Sequence, residues 1–321
     1  NLKQHMRQIV LIAFLLIYGS SSNGQTIVQR NQTIPFGNKL TSLSTKLEQS
    51  QRDKKAIALK YVAEKGIANG KFYHDNRLIE IQKLSSENLP LYYTTYNIDA
   101  AKTTGADALW SGGKLGLNLN GELMTLGVWD GSAVRTTHQE FGGRVTMVDD
   151  TRFTNSNSST EHATHVAGTM IASGVSASAQ GMASKALLRA SDWNSDESEM
   201  AAFGAAGFLI SNHSYGFCTD PGSESSGGCS WQNWRFGYYD EVAASWDEIA
   251  YEAPYYLIVK ASGNDLNDNK NNARGGYDLL EGSGTSKNVL VVGATEDVLN
   301  YTSTSSVDLA FFSSTGPTDD G

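Results

Sequence analysis

Two histidines, His162 and His165, stand three residues apart in "EHATHVAGTM", residues 161–170. On a helix, positions i and i+3 share a face, so the pair could begin a metal site, or one imidazole could act as a general base. The spacing lacks the in-helix glutamate of the HExxH zinc pattern. Asp130 closes the apolar run "ELMTLGVWD", and Asn264 stands just past the apolar part of "YYLIVKASGND". A carboxylate can orient an imidazole base, and a side-chain amide can donate to a developing oxyanion. Taken singly, Asp130 before Gly131 and Asn264 before Asp265 also read as ordinary turn residues.

These residues must be carried by strands and helices, and the texture from about residue 91 supplies both. "ELMTLGVWD", "RVTMVDD", "ALLRASDW", "FLISNHSYG", "YYLIVKASGND" and "NVLVVGAT" read as strands. "HATHVAGTMIASG", ending at Gly174, "ESEMAAFGAAG" and "EVAASWDEIAYEA" read as helices between them. Strands alternating with helices of this length predict an α/β fold whose mainly parallel central sheet is covered by helices on both faces. In such sheets the active site lies beyond the carboxyl ends of the strands. Asp130, Ser214 and Asn264 all fall there.

Upstream, "QRDKKAIALKYVAEKGIANG" places Ala56, Leu59, Val62 and Ala63 at helical spacing and predicts an amphipathic helix ending near Gly66 or Gly70. "RLIEI" reads as a short strand. Further upstream, Arg7 precedes the apolar run "IVLIAFLLIY", too short to span a bilayer but suited to an export signal. Ser22 and Gly24 set a cleavage site before Gln25. The expected organisation is therefore a signal peptide over 1–24, an N-terminal extension or pro-region over 25–90, and an α/β domain over 91–321. The protein is expected to be secreted, with no membrane association beyond export.

A net charge of -9 and the lack of a basic cluster argue against nucleic acid as a partner. Cys218 and Cys229 are the two cysteines, and in an exported chain they either close a small loop as a disulfide or stay free. The acidic stretch "NDLNDNKNN", residues 264–272, offers several oxygens but lacks the spacing and terminal glutamate of a calcium loop. It reads as a solvated loop; no cofactor or metal is expected, and calcium stays open. Ser286 in "GSGTSKNVLVVGA" leads into a β-branched run and reads as a turn serine. His213 reads as structural.

Taken in order, "GVWDGSAVRTTHQEF", "HATHVAGT", "SNHSYG", "ASGN" and "FFSSTGPTDDG" resemble the subtilisin-like serine peptidases, over residues 91–321. Ala163 stands where that family's "HGTHVAGT" has glycine. The resemblance implies a three-layer subtilisin-like fold and an endopeptidase acting on polypeptides through an Asp-His-Ser triad. It makes Asp130 and His162 triad members, Asn264 the oxyanion donor, and His165 a packing residue. Ser214, Tyr215 and Gly216 become the strand that pairs with substrate, and Ala261, Ser262 and Gly263 a wall of the primary specificity pocket. The family's "GTSMA" serine motif does not occur up to Gly321, so the triad implied here lacks its nucleophile and a downstream serine is expected. Two rivals remain: a catalytically inactive peptide-binding relative, and a metal-dependent hydrolase using His162 and His165.

Overall fold

Along the run that ends at Asp130, Val128 and Trp129 are both buried but belong to different apolar clusters. Successive side chains of a strand point to opposite faces, so a sheet built from such runs needs cover on both sides. The computed structural model describes residues 37–65, 70–74, 77–85, 88–95, 104–149, 158–175, 179–219, 229, 231–266, 271–296, 298 and 301–320. The apolar run at 9–18 and the cleavage expected before Gln25 lie outside the described residues.

Among the described residues the first elements are helix α1 (Gly37–Glu64) and strands β1 (Lys71–His74), β2 (Arg77–Leu84) and β3 (Pro90–Thr95). The helix begins well before the stretch from which it was expected. Leu40, Leu43 and Leu47 recur at i, i+3 and i+7 and are buried in one cluster, while Ala58 and Val62 are buried with Ile81 of β2 in another. One helix therefore seats its first half on the α/β body and its second half on its own hairpins.

The central sheet follows: β4 (Thr125–Asp130), β5 (Val145–Met147), helix α2 (Ser158–Ile171), β6 (Leu187–Asp192), helix α3 (Asp196–Ala205) and β7 (Ile210–His213). After β8 (Tyr215–Phe217) come helix α4 (Glu241–Glu252), β9 (Leu257–Ala261) and β10 (Leu290–Val292). Six strands pair all in parallel, in the order β10-β9-β7-β4-β6-β5. On one face, Ala163, Val166, Ala167 and Ile171 of α2 pack with Val128, Leu188 and Ala190. On the other, Met200, Ala201 and Phe203 of α3 and Val242, Trp246 and Ile249 of α4 pack with Trp129 and Ile258. The result is the three-layer α/β arrangement expected. Cover is incomplete at the β9–β10 edge, where Leu257, Leu290 and Val292 are exposed.

Local signals explain the helix ends. Asp240 caps α4, its carboxylate accepting from Val242 N at 2.9 Å and Ala243 N at 3.2 Å, a cap worth about 1 kcal/mol. Helix α2 ends at Ile171, short of the Gly174 expected, and Gly174 takes the left-handed conformation at φ 79°. The main correction concerns "FLISNHSYG". It is not one strand but two, β7 and β8, broken at Ser214. β7 stays in the parallel sheet, whereas β8 joins β1, β2 and β3 in a second sheet of order β1-β2-β3-β8.

Candidate active site

Asp130 is the last residue of β4, so the apolar strand delivers its carboxylate to the sheet's carboxyl edge. The side chain is 1% exposed. Its Oδ1 accepts from Gly131 N at 2.7 Å. His162, in the first turns of α2, brings Nδ1 to 2.9 Å from Asp130 Oδ1 and 3.0 Å from Oδ2. An ionised carboxylate only accepts, so Nδ1 carries the proton and Nε2 presents the lone pair. An imidazole in this tautomer can take a proton from a hydroxyl at Nε2 and be stabilised as imidazolium by the carboxylate behind it.

The next strand in the sheet, β7, ends at His213, and Ser214 follows; Asn212 Nδ2 donates to Ser214 Oγ at 2.8 Å. Tyr215 and Gly216 continue as β8. The Tyr215 ring is buried, and its hydroxyl donates to Asp196 Oδ2 at 2.8 Å. Gly216 faces Thr94, and Tyr215 faces Thr95, in antiparallel register. The N-terminal segment thus occupies the edge assigned to substrate by resemblance.

β9 ends at Ala261, and Ser262 and Gly263 lead on to Asn264. Ser262 N donates to Val292 O at 2.9 Å, and Ser314 N donates to Gly263 O at 2.9 Å. Gly263 has φ 115°, and a Cβ there would lie 2.7 Å from Ser314 Oγ, so only glycine fits. Asp265 anchors the far side of the turn: its N donates to Ser314 Oγ at 3.0 Å, and its carboxylate accepts from the hydroxyls of Thr219 and Ser314. "FFSSTGPTDDG" therefore holds the Asn264 turn in place. Asp130, Ser214 and Asn264 lie at the ends of three neighbouring strands, β4, β7 and β9, on one edge of the sheet.

The sequence matches the subtilase family over residues 62–321. The chain belongs to that family. Similar solved structures include a cold adapted subtilisin-like serine proteinase, 18% identical, covering 62% of this chain and 62% of that chain at a TM-score of 0.35. Others are the nisin leader peptidase NisP from Lactococcus lactis (14% identical, 67% of each chain, TM-score 0.38), and the PatG macrocyclase in complex with peptide (14%, 61% and 62%, TM-score 0.40). This subtilase spans about three fifths of the length of the first solved structures it matches. No curated protein matches it.

Other expectations meet mixed outcomes in this subtilase. His165 is not a packing residue but exposed, because α2 turns Ala163, Val166, Ala167 and Ile171 to the sheet and leaves position 165 outside that stripe. His213 is structural: it is buried, stacked 5.1 Å from Trp129, and bonded to Ser211 Oγ at 2.8 Å and the Tyr215 hydroxyl at 3.0 Å. Burial, and next the charge of Lys260, push its pKa well below the usual value, so it stays neutral. Ser286 is buried and donates to Ala243 O at 3.2 Å, as a turn serine on the way to β10. Cys218 and Cys229 form a disulfide. Among the described residues no three His, Cys, Asp or Glu side chains gather as a metal site. Residues 267–270 of the acidic stretch lie outside the described residues.

Sequence reasoning missed three buried charges. Lys83 of β2 is 7% exposed and donates to Glu241 Oε1 at 2.7 Å, across the contact between the N-terminal segment and the α/β body. Lys54 of α1 reaches the same carboxylate at 2.9 Å. Burial alone would raise Glu241, but Lys83 and Lys54 outweigh it and hold the pKa down at about 2. Lys260 and Glu281 are each 1% exposed. The signal for Lys260 was present: a lone lysine inside the apolar run "YYLIVKASG".

Proposed function

We propose that this subtilase is a secreted serine endopeptidase. In this reading His162 is the general base and then the acid that protonates the leaving amine. Asp130 holds its tautomer and stabilises the imidazolium. The nucleophile is a serine hydroxyl that gives its proton to His162 Nε2. Asn264 donates its amide to the oxyanion, while residues 214–216 pair with an extended peptide main chain and residues 261–263 wall the pocket for its side chain. The observation that carries the reading is the short contact between His162 Nδ1 and the buried Asp130 carboxylate within a subtilase sequence.

The N-terminal segment takes a role in the same reading. Strand β3 fills the edge at residues 215–217, and α1 and β2 are held to the body by Lys54 and Lys83 on Glu241. A substrate main chain cannot pair there until this segment leaves, so residues up to about Thr95 act as a pro-region whose departure opens the cleft. No helix among the described residues is long and apolar enough to cross a membrane.

The decisive experiment expresses the full-length protein and follows peptide hydrolysis with and without a serine-directed inhibitor. Inhibitor-sensitive cleavage lost in His162→Ala supports the reading. A folded full-length protein that binds peptides and cleaves none points instead to an inactive peptide-binding relative.

A further inference from the structure

We infer that the buried ion pair between Lys260 and Glu281 ties together the two walls of the substrate cleft and sets the space a substrate side chain must enter. This rests on the peptidase reading above, and it concerns residues outside the triad.

Lys260 Nζ and Glu281 Oε1 lie 3.8 Å apart, each side chain 1% exposed. The lysine also donates to Ala261 O at 2.7 Å, the first residue of one wall. The glutamate reaches the other wall, because its carboxylate accepts a hydrogen bond from the main chain of Phe217, next after Gly216. Gly282, adjoining Glu281, is pressed on the same residue: a Cβ there would lie 2.5 Å from Phe217 Cε2. Each wall therefore has one main-chain group in the grip of the pair. β8 has left the parallel sheet at Ser214, so no ladder hydrogen bond joins residues 215–217 to β9. The ion pair bridges the place where sheet hydrogen bonds stop.

Stability alone does not account for such a pair. Desolvating two charges offsets most of their attraction, and apolar residues of similar size often hold a core as well. Glu281 Oε1 accepts no hydrogen bond, so the carboxylate is incompletely satisfied where it stands. A positional role fits both facts.

The groups facing Glu281 are Lys260 from β9, Asp265 from the Asn264 turn and Asp240 from the α4 cap. Burial raises the Glu281 carboxyl to about 7 against the pull of Lys260. As pH falls through that value the carboxylate takes a proton, its attraction for Lys260 is lost, and the walls are no longer tied.

The test uses the full-length protein with its N-terminal segment removed by its own maturation. Peptide anilides differing in the residue before the scissile bond are the substrates. In the Lys260→Met/Glu281→Leu double variant, which leaves neither charge alone, KM is expected to rise roughly tenfold with kcat within about twofold, and selectivity among the peptides to flatten. In Glu281→Gln, which keeps an acceptor for Phe217, the rise of KM on acidification through about 7 is expected to vanish. Unchanged KM and selectivity in a folded double variant would overturn the inference while leaving the peptidase reading intact. Should the double variant not fold, a Glu281→Gln protein keeping the wild-type pH profile of KM overturns it equally. A wild-type protein that cleaves no peptide removes the peptidase reading, and this inference with it.

Discussion

The Asp130 carboxylate lies within hydrogen-bond reach of His162 Nδ1 through both oxygens, at 2.9 and 3.0 Å, from a position that is 1% exposed. An asparagine there would offer an N–H in place of one acceptor and favour the wrong imidazole tautomer. Asp130→Asn should therefore lower kcat on the order of 10⁴-fold with little change in fold. His162→Ala should abolish turnover, whereas His165→Ala, at an exposed site, should shift stability by no more than about 0.5 kcal/mol. Turnover on peptide substrates and thermal melts of the three variants check this. Equal loss in both histidine variants would instead favour a shared metal site.

The turn before Asn264 depends on one conformation. Gly263 has φ 115°, and Ser314 Oγ fills the space a side chain would need. Gly263→Ala should displace the turn and, with Asn264 in its proposed role as oxyanion donor, lower kcat more than it raises KM, because such a donor acts in the transition state. Removing such a donor costs about 2.7–4 kcal/mol, a size measured in subtilisin itself. Comparison with Asn264→Ala is the check; a Gly263→Ala protein with full kcat would show that the turn tolerates the change.

The N-terminal segment is docked through Lys83, whose Nζ is 2.7 Å from Glu241 Oε1. In the full-length protein, Lys83→Met should weaken this docking by roughly 1.5–3 kcal/mol, the usual worth of a hydrogen bond to a charged group. Peptide hydrolysis should then begin at lower salt than in the wild type, since screening weakens the remaining pairs. Lys39→Met, whose 3.3 Å pair with Glu252 is exposed on the lysine side, should change the onset little. Identical salt dependence in wild type and Lys83→Met counts against charge-held docking.

Glu199 gives a stability prediction free of the catalytic argument. Burial raises its pKa to about 8, helped by Asp149 and Asp192, although Trp129 Nε1 donates to it at 2.8 Å. The folded carboxyl holds its proton at pH values where the unfolded one, near 4.5, has lost it. Its contribution therefore falls as pH rises from about 4.5 to about 8. Glu199→Gln keeps an acceptor for the indole and removes the titration. Its melting temperature should exceed the wild type by a few degrees at neutral pH and should match it more closely below about 4.5. A parallel pair of pH–melting curves would exclude the assignment.

Much of this was legible in the chain because the information was local. Asp130 and Asn264 are found at strand ends since each follows an apolar run, and a strand's end is marked by where its apolar residues stop. The alternation of such runs with helical stretches determined the parallel sheet and its two helical layers. Several motifs in order then led to the family and to His162 as the partner of Asp130.

What the sequence left undecided depends on contacts between distant segments. "FLISNHSYG" reads as one strand, yet Tyr215 leaves the parallel sheet to pair with Thr95, a partner far away along the chain. Local periodicity carries no record of which edge will be free to accept a strand. Position 165 shares the histidine motif, but which stripe of α2 meets the sheet was set only when Val166 and Ile171 found Val128 and Leu188. Lys260 and Glu281 are separated by a solvated-looking loop and become a buried pair only because the chain folds back to bring them together. The local pattern of apolar and polar residues determined the strands and their ends; the pairing of free edges and the meeting of buried charges were decided by tertiary structure, since only there do remote groups share one low-dielectric space.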